Sequence, residues 1–166
     1  MLRVLLLSLG LLLSACVSQT PLPQQMPSWP APLPLSLHVQ RISSEATQSW
    51  WLVLQDEGGV LRASLFDPLG VPLARQQLLA GQWHNDGLLP PNAEARQLFS
   101  ALLFALSEPA QLAQLYPAGN WQVLADGSRR LAPNWQVQYR SALLFSLQAG
   151  SGLHYQISPL DDDKAQ

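Results

Sequence analysis

An α+β fold is predicted by three features of this chain: short apolar runs with period-two alternation in both halves, one stretch with helical spacing between them, and punctuation by glycine and proline. The order of strands, then one or two helices, then strands separates this pattern from the repeated strand-helix alternation of a parallel sheet.

The first strands follow Pro34. Leu35, Leu37 and Val39 alternate with polar residues, as do Leu61, Ala63 and Leu65, and Trp51 and Val53 recur at the same period-two spacing between them. Gly58-Gly59 marks a hairpin, because a tight turn requires the positive φ that glycine accepts without a Cβ clash. Asp67-Pro68-Leu69-Gly70 is a second turn, leading into a strand over Val71 to Leu79, and another strand surrounds Trp83. These runs read as an antiparallel meander.

Helical character begins after Pro90-Pro91-Asn92. Asn92 is the expected N-cap, and Ala95, Leu98, Phe99, Leu102, Leu103 and Leu106 recur on one helical face. Pro109 ends this helix or starts a second one with Leu112 and Leu115, stopped by Pro117 and Gly119. Strands resume at Trp121 to Leu124, turn at Asp126-Gly127 and continue over Arg129 to Ala132. Trp135, Val137 and Tyr139 then alternate with Gln136, Gln138 and Arg140, followed by runs over Leu143 to Leu147 and Leu153 to Ile157.

The N-terminus has a different character. Arg3 precedes an apolar run from Val4 to Leu13 that is short for a membrane span, which needs about 20 residues. Leu13-Ser14-Ala15-Cys16 resembles the lipobox of bacterial lipoproteins. That resemblance implies a signal peptide over residues 1–15, cut before Cys16, with lipid (diacylglyceryl and a further acyl chain such as palmitate) on Cys16. Two or more acyl chains hold a protein firmly on a bilayer, so the membrane is an expected partner. Residues 16–34 contain Pro21, Pro23, Pro27, Pro30, Pro32 and Pro34 and read as an extended tether with no core. Residues 35–160 form one expected domain, and 161–166 an acidic tail around Asp161-Asp162-Asp163.

Composition narrows the function classes. The formal net charge is −2 and there is no long basic run, so nucleic acid is a poor partner. Charged residues are 12% of the chain against about 25% in an ordinary soluble domain, which leaves a large core or an apolar surface to be accounted for. Cys16 is the only cysteine, and its modification leaves no thiol for a disulfide, metal or nucleophile.

Catalytic motifs are absent, and neither a cofactor, a metal nor an enzymatic role is expected. His38, His84 and His154 are widely spaced. His84 with Asp86 reads as a turn rim, Ser151 between two glycines as a hairpin turn, and Glu57 and Asp67 as turn carboxylates. The six tryptophans, Trp29, Trp50, Trp51, Trp83, Trp121 and Trp135, either pack the core or line an apolar cavity. Trp50 and Trp51 must face opposite sides of their strand, so one of them sits away from the main core.

Three segments together are similar to LolB, the outer-membrane lipoprotein receptor, and to an uncharacterised family of small lipoproteins often encoded beside aryl-polyene biosynthesis genes. They are Leu65-Phe66-Asp67-Pro68-Leu69-Gly70, the helical stretch from Pro90 to Leu115, and Asn134-Trp135-Gln136-Val137-Gln138-Tyr139. Two departures stand out: Pro72 adds a proline to the loop, and the domain is shorter than LolB. The resemblance implies a curved, incomplete antiparallel barrel of the LolA/LolB kind, closed by helices around an apolar cavity. It makes Leu69 the membrane-contacting residue of an outward loop. The expected function is binding or transfer of a lipidic ligand, an acylated lipoprotein or a polyene-lipid, with a periplasmic carrier protein as a further partner. The expected cavity residues are Trp51, Val53, Leu65, Leu102, Phe104, Trp135, Val137 and Phe145. One alternative is a structural or assembly lipoprotein that binds a protein partner and has no ligand cavity; a second, a hydrolase or other envelope enzyme, requires a polar cluster such as His84 and Asp86 converging in a cleft. Val17, not aspartate, follows Cys16, which points to the outer membrane, with the domain on its periplasmic face.

Overall fold

Alternation organises the chain as expected. The computed structural model describes residues 19–160, and its ten strands form one antiparallel sheet. The strands β1 (Leu35–Ile42), β2 (Thr47–Glu57), β3 (Val60–Phe66), β4 (Pro72–Leu79) and β5 (Gln82–Asn85) make the predicted meander. Helix α1 (Ala93–Leu106), a tight turn at Pro109–Gln111 and the short α2 (Leu112–Leu115) follow. A second meander runs through β6 (Trp121–Val123), β7 (Arg129–Leu131), β8 (Trp135–Ser141), β9 (Leu144–Gln148) and β10 (His154–Pro159). Pairing of β1 with β10 joins the halves in the order β5-β4-β3-β2-β1-β10-β9-β8-β7-β6. The sheet is open, with β5 and β6 at its two ends. The expected signal peptide, the expected lipidation site Cys16 and the acidic tail lie outside the described residues.

One face of the sheet is the core. Leu37, Val39, Leu52, Leu54, Ala63, Leu65, Val137, Leu147 and Ile157 are buried there in a single cluster with α1. The helix starts as predicted, the Asn92 side chain accepting a hydrogen bond from the Ala95 N–H at 2.9 Å. Its burial is wider than one face, because every residue from Leu98 to Leu106 is buried. A helix buried all round needs cover on both sides. The sheet supplies one side. The other is covered by α2 and by the N-terminal segment.

Contacts of α1 require the sheet to curl. On β5 the Trp83 indole N–H donates to Ser100 Oγ at 3.0 Å, while Arg129 on β7 donates to the Ser107 carbonyl at 2.7 Å. Eight strand spacings separate β5 from β7, about 38 Å in a flat sheet, whereas seven helical residues advance only about 10 Å. Both edges reach one short helix because the sheet bends around it.

The proline-rich segment departs from expectation. From Gln19 onward it is a strap docked on the domain rather than a tether without a core. Thr20, Pro23 and Pro27 are buried, and Leu22, Trp29, Ala31 and Leu33 pack against the main cluster. The Gln24 N–H donates to the Leu115 carbonyl at 2.8 Å, and Ser28 exchanges hydrogen bonds with Gln111. Proline's missing donors do not prevent docking, because the Gln24 N–H finds a carbonyl on α2 and the Thr20 and Ser28 N–H groups find the side-chain oxygens of Gln97 and Gln111.

Candidate functional site

The expected cavity residues divide into two groups. Trp51 and Val53 point to the outer face of the sheet, opposite α1, and Trp51 is 39% exposed. Their neighbours Leu52 and Leu54 hold the inner positions, since successive strand side chains alternate and β2 turns its even-numbered residues inward. Trp50 shares that parity and lies half-buried beside Tyr155, ring centroids 6.4 Å apart. Adjacent tryptophans do part, but Trp50 is the one that turns inward. Leu65, Leu102, Phe104, Trp135, Val137 and Phe145 are all buried on the inner side, where they belong to the packed cluster between sheet and helix. They fill a core there. Leu69 is 89% exposed at the tip of the β3–β4 turn, whose shape is held by Asp67 Oδ1 accepting from the Leu69 and Val71 N–H groups, each at 2.9 Å.

An apolar-walled groove of about 330 Å³ lies at one end of the sheet, among Trp135, Tyr155, Leu153, Ala149, Pro133 and the first turns of α1. Antiparallel register places several features at this same end. They are the β3–β4 turn, the segment between β5 and α1, the β7–β8 and β9–β10 turns, and the N-terminus of α1. The strap docks beside the groove, where Thr20 accepts from the Trp135 indole N–H at 2.8 Å and hydrogen-bonds Gln97 Oε1. Trp135 and Gln97 also line the groove. Its volume falls at the lower end of the range for small-molecule sites.

A charged cluster borders the groove. Glu94 on α1 accepts from Arg41 Nε at 2.6 Å, from Arg41 Nη2 at 3.2 Å and from the Tyr155 hydroxyl at 2.8 Å. The Arg41 guanidinium lies over the Trp50 ring, 5.8 Å from its centroid. Burial alone would raise the Glu94 carboxyl, but the hydrogen bonds from Arg41 and Tyr155 and the charge of Arg41 outweigh it and hold the group below its ordinary value. Glu94 is therefore a carboxylate near neutral pH, already paired, at the positive end of the helix. It positions structure at the groove's rim and offers no free acid or base.

The known protein-family models and the curated proteins contain no match to this chain. The LolB-like resemblance accordingly rests on the three segments quoted above.

Other polar groups show how the fold uses them. His84 is exposed, and Asp86 is engaged by Arg62 at 2.7 Å and Arg75 at 3.5 Å, so the two do not form a catalytic pair. His38 and Ser49 are hydrogen-bonded at 2.6 Å on the outer face. Both sit on interior strands of the sheet, paired on either side. Among the described residues no three His, Cys, Asp or Glu side chains are grouped to hold a metal ion. Two larger depressions, about 590 and 400 Å³, lie along β6–β8 and β8–β10. Gln122, Arg130 and Gln136 line one beside Trp121 and Leu131, and Gln138, Arg140 and Gln156 the other beside Leu144 and Phe145, so both have walls of mixed polarity, less apolar than the groove.

Sequence reasoning missed Tyr155 and Leu153 as groove residues and Thr20 as the strap residue docked beside them. Their patterns mark them only as strand, turn and linker. Nothing local signals that a residue from the strap and one from β8 share a hydrogen bond across 115 positions.

Proposed function

We propose that this chain is a lipid-anchored envelope protein, on the periplasmic face of the outer membrane, that binds or passes an acyl or polyene-lipid ligand without chemical conversion. The observation that carries the reading is the apolar-walled groove opening beside the docked strap, four residues from the lipobox cysteine. A ligand held there has Trp135, Tyr155, Leu153 and Ala149 as its walls, with its polar end at the Arg41–Glu94 rim. In this reading the curled sheet and its helix are a LolB-like incomplete barrel whose interior is filled by side chains, so cargo is held at the mouth. Leu69, on its exposed turn, assists contact with the bilayer, and a periplasmic carrier protein is the expected donor.

The test uses the lipidated full chain purified from membranes. Extraction with apolar solvent followed by mass spectrometry is expected to release a non-covalent lipid, and a fluorescent fatty acid is expected to bind. Leu153→Asp, which places a charge in the apolar wall, is expected to weaken that binding about tenfold, equivalent to about 1.4 kcal/mol. Absence of both bound lipid and fatty-acid uptake in the unaltered protein overturns the reading.

A second reading, a structural or assembly lipoprotein with a protein partner, is favoured by one observation. The interior is occupied by Leu65, Leu102, Phe104, Val137 and Phe145, while Trp51 lies exposed beside Phe66 on the outer face. Photo-crosslinking from position 51 that captures one reproducible envelope protein would support it over ligand binding.

A further inference from the structure

The three most exposed large apolar side chains of the described residues are Leu88 at 106%, Leu69 at 89% and Val71 at 52%. They come from two separate connections, β3–β4 and β5–α1, and register places both at the end of the sheet where Thr20 docks. Asn92 ties the second connection to the start of β4, just after the first, its Nδ2 donating to the Leu73 carbonyl at 3.4 Å.

The chain between Cys16 and this docking point is short. Four peptide units separate Cys16 from Thr20, a reach of at most about 14 Å. Because Thr20 is buried against Trp135 and Gln97, slack in the later prolines cannot lengthen the connection. An anchor on Cys16 therefore holds the domain close to the bilayer at the Thr20 docking point, which borders Gly81 and Gln82 of the β4–β5 turn and which the bond to Trp135 ties to this end of the sheet.

Charge defines the kind of surface it meets. The connections Ser43–Ala46, Asp67–Val71, Asp86–Asn92, Ala132–Asn134 and Ala149–Leu153 contain no lysine or arginine, and they carry Glu45, Asp67 and Asp86. A basic patch attracted to anionic headgroups is missing from these turns, so contact must come from the apolar tips.

We propose that the strap fixes the domain's orientation on the membrane, with the sheet end bearing Leu88, Leu69 and Val71 seated in a lipid surface and the groove opening at that surface. Leu88 is the contact that the β3–β4 turn alone does not supply. The inference rests on lipidation of Cys16, and the experiment separates the two.

The lipidated full chain is reconstituted in phosphatidylcholine vesicles, with nitroxide labels introduced through Leu88→Cys, Leu69→Cys or, at the opposite end, Ala142→Cys. Flotation and the mass of the N-terminal peptide report the anchor. Labels at 88 and 69 are expected to be relaxed by oxygen in the bilayer and the label at 142 by aqueous nickel chelate, with the same result when anionic lipid is added. Leu88→Asp is expected to reduce immersion of the label at 69 several-fold. An acylated, floating protein whose label at 88 is as aqueous as that at 142 overturns the orientation while leaving the anchor intact. Immersion that requires anionic lipid overturns its apolar basis. A chain that is neither acylated nor floating removes the anchor and the orientation with it.

Discussion

Arg129 is 6% exposed, yet it is a cation on a short strand with no carboxylate in hydrogen-bond contact among the described residues. It donates to the carbonyls of Phe104 at 3.3 Å and Ser107 at 2.7 Å, and its guanidinium lies 4.8 Å from the Tyr139 ring centroid. The last turn of α1 contains no basic residue, so Arg129 supplies from β7 the positive charge that helix C-termini favour. Burial depresses its pKa, but from so high a starting value that the charge persists. Arg129→Leu is expected to destabilise the fold by about 2–4 kcal/mol in urea denaturation, because buried carbonyls lose their donor. Tyr139 donates to the Ala105 carbonyl at 2.7 Å, and burial pushes its pKa up to about 12. Burial also raises Tyr116 and Tyr155. A raised pKa means that the folded state keeps a proton the unfolded chain surrenders near pH 10. The contribution is complete below about pH 10 and is lost as pH rises toward 12. Stability measured against pH is expected to fall across that window, with a shallower fall in Tyr139→Phe. An alkaline limb of unchanged slope in that variant would contradict the assignment.

Elements show where period-two reasoning succeeds and where its phase is undetermined. Every strand after Pro34 and the α1 N-cap were legible, because alternation, turn residues and capping are local properties. The phase of β2 was not. Thr47 to Glu57 presents Trp51 and Val53 on one face and Trp50, Leu52 and Leu54 on the other, so both faces are apolar and the core side is set by pairing with β1 and β3. Leu52→Ala is expected to cost about 2–5 kcal/mol, whereas Trp51→Ala costs under about 1 kcal/mol despite the larger side chain. Thermal or denaturant unfolding of the pair checks the phase directly. A second element-scale case is the β9–β10 turn against the loop before β8. A Cβ added at Gly150 would meet the Asn134 Cβ at 2.6 Å. Gly150→Ala is expected to destabilise by about 1–3 kcal/mol, with most of the loss recovered by adding Asn134→Gly. Additive losses would show that the two turns are not in contact.

At the scale of the whole molecule, the strap and the curled sheet act together. The strap covers the side of α1 that the sheet cannot reach, and it fixes where the chain leaves the domain. Thr20→Val keeps the shape but leaves the Trp135 indole N–H without its acceptor, at an expected cost of about 1–3 kcal/mol. Hydrogen exchange at Gln24, whose N–H bonds to Leu115, is expected to rise in that variant if strap and helix form one cooperative unit. Unchanged exchange would make the strap's docking local at each contact. The candidate groove belongs to this scale as well, since its walls come from β8, β10, the turns beside them and α1.

The sequence alone determined the identity and order of the elements, the α1 cap, the lipobox resemblance and the separation of Trp50 from Trp51. These depend on spacings of a few residues, over which backbone geometry dictates which side chains share a face. Tertiary structure decided the rest. It placed Trp50 inward and left Trp51 and Val53 on the outer face, packed the other expected cavity residues into a core, converted the tether into a strap, and gathered Thr20, Trp135, Leu153 and Tyr155 at one end. Each of those outcomes depends on contacts between distant segments, whose energies come from shared burial and long-range hydrogen bonds. No local pattern encodes which of two apolar faces the rest of the chain will cover.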